Sequence, residues 1–77
     1  MPTIFNQAGF RFMIYVHDYA PPHIHVIGHG GAVELQIEPL SLRAVRGPLT
    51  DAQVRAVVRI ATERQSELLQ AWRNHHG

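Results

Sequence analysis

His17, Asp18, His23, His25 and Glu34, in the first half of the chain, carry groups able to bind a metal or move a proton. His23 and His25 are one residue apart, and in an extended segment side chains at i and i+2 point to the same side, so their imidazoles share a face. Two imidazoles with a carboxylate on a neighbouring strand suit zinc or another divalent ion, one ring nitrogen binding while a carboxylate steadies the other. The ligand set that this spacing suggests is His23, His25 and Glu34, with Asp18 close by in a proline-containing loop. Alternatively the imidazoles decorate an open sheet surface, with Glu34 as a weak cross-strand pair. His29 sits among glycines and is expected to serve its turn. Arg11, Tyr15, His23 and His25 could also supply clamp, base and acid for metal-free RNA cleavage. No nucleophile motif, phosphate-cradling glycine loop or paired-carboxylate metal site accompanies them, so binding is favoured over catalysis.

The elements that position these groups follow from periodicity. Residues 10–17 are dense in aromatic and β-branched side chains and read as a strand, broken by Asp18, Tyr19, Ala20, Pro21 and Pro22. A second strand spans 23–28, and the turn of Gly28, His29, Gly30 and Gly31 separates it from a third over 32–38, which alternates with period two. Residues 41–46 offer a short fourth strand or an extended arm. From Thr50 the period changes, because Thr50 and Gln53 have the spacing of a capping box. A helix over 51–74 is expected, with Val54, Val58, Ala61, Leu68 and Trp72 along one face and Gly77 beyond its end. The predicted fold is α+β, an antiparallel meander of three to four strands with one C-terminal helix packed on one face.

Two hairpin registers fix the faces. Pairing His17 with His23 across a five-residue loop sets Val16 opposite Ile24 and Ile14 opposite Val26. Pairing Ile27 with Ala32 across four residues sets Val26 opposite Val33 and Ile24 opposite Leu35. Both place Phe12, Ile14, Val16, Ile24, Val26, Val33, Leu35 and Ile37 on one face, the predicted core. The opposite face then carries Arg11, Met13, Tyr15, His17, His23, His25, Ile27, Ala32, Glu34, Gln36 and Glu38. One helix covers only one face, so this second face meets water or a partner. On the helix, Ala56, Ile60 and Ala71 form an apolar strip outside the core stripe, which suggests a homodimer contact. His75 and His76 lie at the chain end and carry little information.

Composition narrows the function classes. The chain has 77 residues, 45% hydrophobic and 17% charged, which suits one soluble domain. It has no cysteine, so disulfides, thiolate zinc fingers and cysteine nucleophiles are excluded. Seven basic residues, all arginine, against six acids leave a net charge of +1, too balanced to argue for nucleic acid. With no apolar run of membrane-spanning length and no signal-peptide pattern, a cytoplasmic protein without membrane contact is expected.

Four blocks of sequence carry a resemblance: Met1 to Ile4, Gly9 to Phe12, Pro21-Pro22-His23-Ile24-His25-Val26, and Leu68 to Trp72. Together they resemble a family of small bacterial proteins catalogued as domain of unknown function 4160. The resemblance implies a small protein of bacterial or mobile-element genomes, often encoded beside another small family in an arrangement like a toxin–antitoxin pair. It implies no established reaction. Similar proteins carry Asn where this chain has His17, and an acidic residue, a histidine and three prolines where it has Asp18 to Pro22. Asp18, His23 and His25 match. The expectation is therefore an interaction module that binds a protein, the product of an adjacent gene being the first candidate. Its predicted surface is Arg11, Tyr15, Asp18, Pro21, Pro22, His23 and His25. An RNA-directed or metal-dependent activity at His23 and His25 is the alternative.

Overall fold

A computed structural model describes residues 3–15 and 17–76. The chain runs β1 (Thr3–Gln7), β2 (Phe10–Met13), β3 (His23–Gly28), β4 (Gly31–Ile37), β5 (Leu40–Arg46), α1 (Asp51–Glu63) and α2 (Gln65–His76). The strands form one antiparallel sheet in sequence order. The α+β class holds, but the sheet has five strands rather than three or four, and two helices replace the one expected. Val16, placed in the predicted core, and Met1, Pro2 and Gly77 lie outside the described residues.

Tight turns build most of the meander. Ala8 and Gly9 have φ of 54° and 78°, and His29 and Gly30 have 51° and 80°. Two successive positive φ values make the primed turn whose twist matches that of the strands it joins. Both turns lie at the same end of the sheet. His29 donates from Nε2 to the Ala8 carbonyl (3.0 Å), and its ring sits 4.7 Å from that of Phe10. One turn thereby holds the other, and His29 does serve its turn.

The β3–β4 register is the one expected, Ile24 opposite Leu35 and Val26 opposite Val33, continued to Gly28 opposite Gly31. The first hairpin differs. Met13 lies opposite His25 and Phe12 opposite Val26, so His17 does not pair with His23 and the connection is a longer loop, residues 14–22. The shift is by two residues, and an even shift leaves every side chain on its original face. Phe12, Ile14, Ile24, Val26, Val33, Leu35 and Ile37 are accordingly all buried.

β1 and β5 each contain a bulge. Thr3 pairs with Met13 and Phe5 with Phe12, which leaves Ile4 as the extra residue. Arg43 is the extra residue between Leu42 and Ala44. The first bulge lets the consecutive Ile4 and Phe5 both pack against the core, with Phe5 stacked on Phe12 at 4.5 Å.

The capping box forms as read: Gln53 N–H donates to Thr50 Oγ1 (3.1 Å), and Thr50 N–H donates to Gln53 Oε1 (2.9 Å). Val57, Ile60, Ala61, Leu68 and Trp72 face the sheet. Val54 and Val58 are only half-buried, so the buried stripe of α1 is rotated by roughly 70° from the one expected, while Leu68 and Trp72 of α2 lie where they were read. Ile60 is 1% exposed and Ala71 packs against the core. The Ala56–Ile60–Ala71 strip is therefore not a free dimer surface. Each large aliphatic of this core contributes about 1.5–3 kcal/mol by leaving water.

Candidate functional site

The loop of residues 14–22 brings the reactive side chains together. Asp18 N–H donates to the Tyr15 carbonyl (3.0 Å), and Ile37 N–H donates to the Pro22 carbonyl (2.9 Å), which tie the loop to its own start and to the end of β4. That geometry sets the Asp18 carboxylate over the first residues of β3. Asp18 Oδ2 lies 3.0 Å from His23 Nε2 and 2.8 Å from His25 Nε2. One oxygen thus meets both rings, and the three side chains have ligand atoms within 4.8 Å of one another.

Each ring is held from behind. His23 Nδ1 lies 2.9 Å from the Pro21 carbonyl. A carbonyl oxygen only accepts, so Nδ1 carries the proton and donates it. His25 turns Nδ1 toward Glu34 Oε1 at 3.9 Å, and the other Glu34 oxygen pairs with Arg43 Nε at 3.4 Å. Tyr15 covers His25 as a stacked ring, centroids 3.9 Å apart and planes 10° apart. His23 is 8% exposed, its ring 5.4 Å from both His25 and Trp72.

The structure therefore rearranges the ligand set read from spacing. Glu34 does lie opposite His25, but it faces the far nitrogen of that ring, and Asp18 takes the place expected of it. Of the predicted surface, Tyr15, Asp18, Pro21, Pro22, His23 and His25 gather at one end of β3. Arg11 does not join them, lying opposite Ile27 near the other end of that strand. His17 is exposed and outside the cluster. Met13 is 5% exposed, not an available contact.

Sequence reasoning missed the link to the helix. Trp72, expected in the core and found there, stacks on His76 with centroids 3.6 Å apart. His76 Nδ1 donates to the Trp72 carbonyl (3.0 Å), while Nε2 is buried without a hydrogen-bond partner among the described residues. The i, i+4 spacing of Trp72 and His76 was the available signal. Tyr15, His25, His23, Trp72 and His76 make a continuous run of rings from the sheet surface to α2.

Toward the other end of the same face lies a row of directly opposed residues, Asn6, Arg11, Ile27, Ala32 and Arg46. Arg11 and Arg46 are exposed and form no ion pair among the described residues. Ile27 is 41% exposed. Asn6, Gly9, Phe10, Arg11 and Ile27 line an open hollow of ≈ 420 Å³. No helix among the described residues is long and apolar enough to cross a membrane.

A family model described as Domain of unknown function (DUF4160) matches residues 9–73, which leaves β1 outside the match. No curated protein and no solved structure matches the chain.

Proposed function

We propose that this chain, which belongs to the family described as Domain of unknown function (DUF4160), is a small interaction module that docks an acidic protein segment on the open face of its sheet. The supporting observation is the row in which Arg11 and Arg46 flank the apolar pair Ile27 and Ala32. An apolar partner residue seated on Ile27 would carry its neighbouring carboxylates to the two guanidinium groups, which suit bidentate pairing. Both helices pack on the opposite side, so among the described residues nothing competes for this row. The partner proposed is the product of an adjacent gene, in a cytoplasmic two-gene system of toxin–antitoxin type.

RNA fits the face less well. The neighbouring row carries Glu34, whose carboxylate repels phosphate and already neutralises Arg43. The ring of Tyr15 has one side occupied by His25, which leaves little aromatic surface for stacking bases.

Co-expression of the chain with the adjacent gene product, followed by affinity purification, tests the proposal. Wild type should retain the partner, whereas Arg11→Glu with Arg46→Glu, and separately Ile27→Asp, should release it while remaining folded. Retention unchanged in both variants sinks the proposal, as does salt-sensitive capture of RNA in place of protein.

A further inference from the structure

The Pro21 carbonyl decides the chemistry at the sheet's histidine end. Because His23 Nδ1 gives its proton to that carbonyl, a neutral His23 presents a lone pair at Nε2. This lone pair faces Asp18 Oδ2 across 3.0 Å, acceptor against acceptor. His25 brings Nε2 to the same oxygen at 2.8 Å. His25 Nε2–H can donate to that oxygen, whereas the His23–Asp18 contact repels unless a cation lies there. Either a proton on His23 or a metal ion meets that need.

We infer that Asp18, His23 and His25 form a three-ligand site for a divalent transition metal of the zinc class. Zinc bonds of about 2.0–2.2 Å set tetrahedral ligand separations of roughly 3.3 Å, so the two short distances need to open by only a few tenths of an ångström. The loop bearing Asp18 can give that movement, while β3 holds both histidines in the sheet. Two imidazoles and one carboxylate suit zinc and its neighbours, not calcium or magnesium, which take oxygen ligands. Binding through His25 Nε2 leaves the proton on Nδ1, on the side where Glu34 stands, and a carboxylate there orients the ring and raises its basicity. Three protein ligands leave one tetrahedral position for water or a group from a bound molecule, as in sites that act on what they bind. This centre is separate from the Arg11–Arg46 row, so either proposal can fail alone.

Calorimetric titration of the full, metal-stripped chain with zinc chloride decides between ion and proton. Wild type should bind one zinc per chain. Asp18→Asn and His25→Gln, each checked for folding by circular dichroism, should lose the saturable heat, and Glu34→Gln should weaken binding about 10-fold. His17→Ala and His75→Ala should bind as wild type, because both rings are exposed and outside the cluster. Cobalt gives a second readout: bound beside His23 it should quench the fluorescence of Trp72, the one tryptophan of the chain, and His25→Gln should abolish the quenching. Absence of binding in wild type overturns the inference. So does binding that survives in folded Asp18→Asn and His25→Gln, or that disappears in His17→Ala or His75→Ala.

Discussion

The guanidinium carbon of Arg64 lies 3.4 Å from the centroid of the Phe5 ring, a cation–π contact between the helix junction and the first strand. The same side chain donates to Gln7 Oε1 (2.9 Å) and to both Glu67 oxygens (2.8 Å each). Arg64 thus clamps β1 to the point where α1 ends and α2 begins. Arg64→Ala should cost about 1–2 kcal/mol, the upper range of such contacts. The loss should show as faster amide exchange in β1 before any other strand. Equal exchange rates in β1 and β2 of the variant would disprove the clamp.

Trp72→Ala should cost about 3–5 kcal/mol, as for removal of a buried large aromatic. A small domain typically has only about 5–10 kcal/mol in total, so the urea midpoint should fall by roughly a third or more, to an unfolded chain at the upper end of the loss. A loss below about 1 kcal/mol would mean that the ring is not part of the core.

Thr50 is exposed, and its hydroxyl has one structural task, accepting from Gln53 N–H. Thr50→Ala should therefore destabilise by about 1 kcal/mol, measurable as a shift in denaturation midpoint with unchanged m-value. Thr50→Ser should restore most of it, which a packing role for the methyl group would not allow.

Ala8 has φ of 54°, where a Cβ without a local hydrogen bond is disfavoured. Asparagine tolerates that region, and Asn-Gly is the preferred pair for this turn. Ala8→Asn should raise stability by about 0.5–1 kcal/mol, read from thermal unfolding. A fall in melting temperature would show that the side chain meets something the turn does not reveal.

What could be read in advance depended on the kind of signal each residue sends. The β3–β4 register was legible because Gly30 supplies the turn and strict alternation on both sides allows no one-residue slip. The first hairpin was legible only to within an even shift, since moving its register by two residues keeps the same side chains buried. In the observed register the connection lengthens to residues 14–22, and Asp18 within it reaches both histidines. β1 was missed because its bulge sets Ile4 and Phe5 on the same side and erases the alternation that marks a strand. The helix break has no glycine or proline to announce it. It is tertiary, with Arg64 drawn to Phe5 and Gln7, and Gln65 donating to the Ile37 carbonyl (2.7 Å). For the site, period two put His23, His25 and Glu34 on one face, yet it could not say which nitrogen each carboxylate would meet.

The bulges at Ile4 and Arg43 fall on the two outermost strands of the sheet, each with a free side among the described residues. An outermost strand offers unpaired N–H and C=O groups on which another chain can template itself, and the consequence is uncontrolled growth. A bulge breaks the spacing that such templating needs and twists the strand locally. Arg43 adds a charge at the break. The sheet is thus terminated on both sides, which disfavours its extension by another chain at either edge.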